Sequence, residues 1–268
     1  MPHILSDSTV SPGPLPSLSS AWTGWGQWIA LITMSLDHAI RYLLPETWEL
    51  GWASSSIGRI AFPLFAAMVA WHALFDTRDA QRYARRILVI GLAAQLPYLV
   101  MPRGAFQLNV CFTLGLSLAW ASGLRTLLGS EAARSNVRHA ALGLGLLLLS
   151  PGLWLLLGPW LEYGHAGLAL VPGFMLALSQ LARLSTDPGE RAIALAASLP
   201  VLALADWLNH SLMAKAFTLA TVLGVLWLAA GGAQRVSAVA LRMPRWLWLG
   251  WYPGHFAAIA AWLLFGAA

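Results

Sequence analysis

An aspartate and a histidine, Asp37 and His38, stand side by side inside an apolar run over residues 28–44. An ionisable side chain at the centre of a bilayer costs about 2.5–3.5 kcal/mol on insertion scales, so it is usually kept for a partner or a function. Further polar groups interrupt later apolar runs: Arg59, Gln95 with Tyr98, Asn109, Glu162 with Tyr163, and Tyr252 with His255. Imidazole, carboxylate and guanidinium groups together suit general-base or relay chemistry on an acyl group. They equally suit a proton relay in a transporter. HExxH, CxxC, P-loop and GxSxG patterns are all absent, and no metal-ligand spacing stands out.

Each of these residues also has a plainer role. Asp37 and Arg41 are i,i+4 neighbours and fit a simple ion pair. Adjacent residues point about 100° apart around a helix, so Asp37 is badly placed to orient His38 directly. Arg59 can snorkel to headgroups. Glu162 can favour the positive end of a helix dipole. Asn109 can serve as interhelical glue, and Tyr98 and Tyr163 as packing or belt residues. The single cysteine, Cys111, excludes an intramolecular disulfide and a cysteine-based metal cluster. Its apolar surroundings fit an inert core thiol.

The elements that must position these groups are membrane helices. The chain has 268 residues, 58% of them hydrophobic and 10% charged. Soluble domains average about 25% charged residues. We read an all-α, polytopic helix bundle with about nine transmembrane helices, over residues 28–44, 57–75, 87–101, 106–128, 140–157, 160–181, 192–208, 212–230 and 246–265. A flexible Ser/Pro-rich tail precedes it at 1–21, and 22–268 reads as one transmembrane domain. Twelve of the 16 Lys and Arg residues fall in even-numbered loops, Arg82, Arg85, Arg86, Arg134 and Arg245 among them. The positive-inside rule then makes those loops and the N-terminus cytoplasmic, with the C-terminus outside. This distribution also explains the net charge of +5 without nucleic acid. Depth along each helix, at about 1.5 Å per residue, brings His38, Arg59, Gln95, Tyr98, Asn109, Glu162, Tyr163, Tyr252 and His255 into one band in the outer half of the membrane. A shared polar cavity is the expectation.

At these residues the chain resembles the TraX family of conjugative-plasmid membrane proteins, including its TrbP-type members. The matching segments are IALITMSLDHAI (29–40), IGRIAFPLFA (57–66), RYARRILV (82–89), QLPY (95–98), LNVCFTLGL (108–116), EYGHAG (162–167) and WYPGH (251–255). Glu162 stands where the family pattern leads us to expect Asp before Tyr-Gly. The resemblance implies a bacterial inner-membrane enzyme that acetylates the N-terminal amine of a conjugative pilin, with acetyl-CoA as donor and no metal. It also implies distant kinship to transmembrane acyltransferases that use an early-helix histidine, which maps to His38. On that reading His38 is base or acyl carrier, and Asp37 tunes it. Arg59 or Asn109 stabilises the oxyanion, Glu162 binds the acceptor ammonium, and His255 lines the cavity. Gln95, Tyr98, Tyr163 and Tyr252 contact substrate, and Arg82, Arg85 and Arg86 hold the phosphates of CoA. Two rivals share the scaffold: a head-to-tail pilin cyclase acting on the same amine, and a non-enzymatic pilin chaperone or proton-coupled transporter.

Overall fold

The computed structural model describes residues 19–102, 105–129, 137–183 and 187–266. The Ser/Pro tail up to residue 18, Arg103 and Arg134 lie outside the described residues. Among the described residues the regular structure is helical, with one isolated β-bridge between Leu108 and Leu161.

The helices are α1 (Ala21–Tyr42), a short α2 (Gly51–Ser54), α3 (Ala61–Trp71), α4 (Ala80–Val100), α5 (Val110–Gly129), α6 (Val137–Leu157), α7 (Gly164–Leu181), α8 (Pro188–Trp207), α9 (Leu212–Ala229) and α10 (Arg245–Phe265). Each of the nine apolar runs in the sequence is helical. Among the described residues, six helical stretches are long and apolar enough to cross a bilayer: Gly51–Asp76, Val110–Gly129, Val137–Trp160, Gly164–Leu181, Pro188–Trp207 and Leu212–Ala229. The others, α1, α4 and α10, match them in length but are less apolar. The structure therefore supports six candidate crossings, not nine. The three that fall short carry Asp37 and His38, the arginine cluster, and His255.

Burial follows the sequence pattern. On α1, Trp22, Gly26, Ala30, Met34, Asp37 and His38 are buried at steps of three or four residues, while Trp25, Ile29, Ile32 and Leu36 are exposed. That spacing is one face of a helix, so the Asp–His pair turns inward. Helix α3 is apolar on every side and almost wholly buried, which places it at the bundle centre against α1, α5, α7 and α9. It is not one regular span. A 3₁₀ turn (Ile57–Ile60) precedes it and a π turn (His72–Asp76) follows. Helix α6 leaves Leu148 and Leu149 open to the surroundings, a surface suited to lipid.

Two ties set the site. The indole N–H groups of Trp25 and Trp28 donate to the carbonyls of Ser237 (3.0 Å) and Leu241 (2.8 Å), holding the approach to α10 against α1. The backbone of Leu108 exchanges hydrogen bonds with Trp160 O (2.8 Å) and Glu162 N (2.9 Å), drawing the starts of α5 and α7 together. Helices α8 and α9 form a hairpin. The buried Asn209 amide donates to Thr218 Oγ1 (2.8 Å) and Lys215 pairs with Asp206 (2.8 Å).

A histidine pair and a basic cavity as the candidate active site

His38 on α1 meets His255 on α10. Nδ1 of His38 lies 2.8 Å from Nε2 of His255, and the rings are nearly parallel, at 3°. Nδ1 of His255 lies 2.8 Å from the carbonyl oxygen of Trp251. A carbonyl can only accept, so Nδ1 of His255 carries the proton. In neutral His255, Nε2 then accepts, and His38 must donate from Nδ1. The remaining nitrogen of His38, Nε2, is the basic one. The chain of bonds thus fixes the His38 tautomer, as an orienting partner does for a general base. Phe256 packs on His38 at 4.7 Å between ring centroids and receives the edge of Tyr98 at 5.5 Å, with Tyr252 at 5.6 Å from His255. His38, Tyr98 and Tyr252 are buried. The α10 helix runs unbroken through Pro253, which lies inside it between Tyr252 and His255.

Asp37 looks elsewhere. Its carboxylate accepts from Arg41 Nη2 at 3.0 and 3.1 Å and from the Ser54 hydroxyl. An ideal Cβ on Gly58 would lie 2.6 Å from Asp37 Oδ1 and 2.8 Å from Asp37 Cβ, so glycine is what lets the 3₁₀ turn close over the carboxylate. Tyr163 is stacked on Phe62 at 3.8 Å. Asp37, Arg41 and Ser54 form a charge cluster that begins one residue before His38 in the chain. Tyr163 adopts a left-handed backbone (φ 67°), followed by Gly164 (φ 58°). For a tyrosine that conformation costs of order 1–3 kcal/mol, and it turns the chain sharply into α7. The Nε of Arg59 is buried with no hydrogen-bond partner among the described residues.

The remaining expected residues cap α5. Asn109 is fully buried, and its amide donates both hydrogens, to Gly91 O and Gln95 Oε1, each at 2.8 Å. Its Oδ1 accepts from Cys111 N (3.0 Å), while Gln95 also donates to Gln107 O (2.9 Å). Asn109 therefore has no donor left for an oxyanion. Glu162 Oε2 accepts from Val110 N at 2.9 Å, so this carboxylate caps α5 rather than its own helix. Glu162→Gln keeps an accepting oxygen and should leave stability almost unchanged in thermal unfolding. Glu162→Ala should lose about 1 kcal/mol, the usual worth of a cap.

Arg82, Arg85 and Arg86 are helical, on the first turns of α4. Asp79 caps that helix, accepting from Arg82 N at 2.8 Å. The apolar run alone starts about two turns later, because hydropathy detects lipid-compatible residues and not helix starts. All three arginines, with Arg245, line a cavity of about 870 Å³ whose inner wall reaches Trp251 and Tyr252. A second, apolar groove of about 580 Å³ lies on the other side of the α1–α10 seam, with Ser35, Gly254 and His255 in its wall. Trp251 lines both, and its indole donates to Ser35 Oγ at 2.9 Å.

A family model described as TraX protein matches residues 26–263. The chain belongs to the TraX family. That family is associated with conjugal transfer and its pilin. No curated protein and no solved structure matches the chain. In this TraX-family bundle, then, the expected residues separate into the histidine pair, the charge cluster and the α5 cap. His165 joins none of them, since it packs against Gly158 and Trp154. Residues that the sequence did not single out as site residues complete the set: Ser54 on Asp37, Gly58 behind it, Trp251 beside His255, and Arg245 at the cavity.

Proposed function

We propose that this chain is an acyltransferase of the bacterial inner membrane that acetylates the N-terminal amine of a conjugative pilin from acetyl-CoA. The observation that carries the reading is the His38–His255–Trp251 chain, which presents one basic imidazole nitrogen in an apolar setting. The acceptor's amine nitrogen attacks the thioester carbonyl and a C–N bond forms. Nε2 of His38 takes the amine proton as the C–S bond breaks, then returns it to the departing thiolate. The products are an acetamide and a free thiol. His255 holds His38 in register and shares the imidazolium charge through its Nε2. The buried Nε of Arg59 supports a role in balancing the oxyanion. The groove beside His255 offers an apolar acceptor a route from the lipid. On this reading all nine apolar segments span the membrane, with the N-terminus cytoplasmic and the C-terminus periplasmic.

The test is the intact mass of the pilin from the same transfer system, isolated from cells with and without this chain. Gain of one acetyl group that requires the chain supports acetyl transfer. Loss of a peptide with backbone closure would make the chain a cyclase. An unchanged mass would overturn both, leaving a chaperone or transporter.

A further inference from the structure

The cavity and the groove share a wall. On α10, Trp248 and Tyr252 line the cavity, whereas Gly250, Gly254 and Ala258 line the groove. On α1, Leu31 and Met34 line the cavity, and Ser35 and Ala39 the groove. Residues advance about 100° around a helix, which puts Trp251 between the two faces of α10. Among the described residues it is the one common to both linings. Its indole N–H reaches across to α1 and donates to Ser35 Oγ at 2.9 Å. Ser35 donates in turn to Leu31 O at 2.7 Å, which leaves its own lone pairs to accept. The indole lies almost parallel to the His255 ring, at 11° and 6.3 Å between centroids. The wall therefore stands beside the histidine pair.

The groove side has room to receive the indole. A Cβ added at Gly250 or at Gly254 would meet nothing within 4 Å, so the groove floor is clear over a full turn of α10. Glycines inside a helix weaken it relative to alanine, and these two keep that space open. A neutral hydrogen bond such as the one to Ser35 is modest in net worth, so it can break and re-form. The carbonyl that fixes the His255 tautomer belongs to the Trp251 backbone, and rotation of the side chain leaves it in place. We propose that the Trp251 indole is a movable partition. Latched to Ser35, it keeps cavity and groove apart; swung into the groove, it joins them in one passage beside His38 and His255. The partition stands on this geometry alone. Its use rests on the acyl-transfer reading, in which a water-borne thioester and a lipid-borne amine must meet at the histidine pair without an open leak between their compartments.

The experiment is thiol accessibility in the full-length chain in phosphatidylcholine nanodiscs, with neither donor nor pilin present. Its failure would therefore leave the acyl-transfer reading standing, and an unchanged pilin mass would leave the partition standing. Cys111, the one thiol of the chain, lines the cavity, so Cys111→Ala clears the background. Gly254→Cys then places a reporter in the groove, where its side chain meets open space. The probe is a quaternary-ammonium methanethiosulfonate, which stays in water. With Trp251 and Ser35 in place, modification should be slow. Ser35→Ala removes the latch and keeps every ring. It should speed modification about tenfold or more, because a hydrated thiol ionises to the reactive thiolate and a lipid-covered one does not. Trp251→Ala removes the wall and should speed it at least as much. Leu149→Cys, on the exposed face of α6, should stay slow in both backgrounds. Rapid modification before either change, no change after both, or a parallel rise at Leu149→Cys overturns the inference. A rise with Trp251→Ala but not with Ser35→Ala would mean a fixed wall and overturn its movement.

Discussion

His38→Ala should lower pilin modification by about 10²- to 10⁴-fold while the protein still folds and inserts. That range is what a positioned general base contributes. Alanine removes the only nitrogen that the Trp251–His255 chain leaves basic. His255→Phe should cost less, about 10- to 100-fold, as loss of an orienting partner does in other histidine sites. Phenylalanine fills the ring volume but accepts nothing, so the His38 ring loses its fixed tautomer. The two residues act as one unit, and the double variant should be no slower than His38→Ala alone. Initial rates of acetyl incorporation in isolated membranes check all three. Additive losses would mean that the two imidazoles work independently.

Gly58→Ala should destabilise the bundle by about 1–3 kcal/mol, the range for forcing a methyl into a filled site. The new Cβ would meet the Cβ of Asp37 at 2.8 Å as well as its carboxylate, so a rotamer change alone gives no relief. Backbone must move, and the contacts of Asp37 with Arg41 and Ser54 loosen with it. The cost should vanish in a background that lacks the whole Asp37 side chain, Cβ included. Asp37→Gly/Gly58→Ala should be no less stable than Asp37→Gly, measured by thermal unfolding in one detergent. An undiminished glycine effect in that background would put the strain elsewhere than Asp37.

How much of this was legible in the sequence differs residue by residue. The helical class and the nine apolar runs follow from composition and hydropathy. Depth along the helices put His38 and His255 in one band with seven other residues, but depth fixes height and not bearing. Their contact depends on which helices are neighbours, and one sequence does not encode that in any local pattern. The i,i+4 spacing of Asp37 and Arg41 did announce their pairing, because a helix fixes both height and bearing within a turn. Asn109 shared the band too, yet its hydrogens are consumed in capping α5, a commitment visible only once Gln95 and Gly91 are beside it. The arginine cluster read as a loop because the apolar window opens after it. The cap signal at Asp79 marks the true helix start.

The first and last described helices hold one another, and that orders the protein's biogenesis. His38 and His255 are 217 positions apart. A ribosome adding roughly 5–20 residues per second needs on the order of 10–40 s to make the second after the first. Asp37 does not wait that long, since Arg41 lies one turn away and Ser54 is synthesised moments later. The residue that would be costliest alone in lipid is thus satisfied by its own neighbourhood. His38, which can rest uncharged, is the one left to wait for a helix made 217 residues later. If the histidine pair is the basic centre proposed above, the bundle stays silent while it is being built, and its chemistry switches on only when α10 docks.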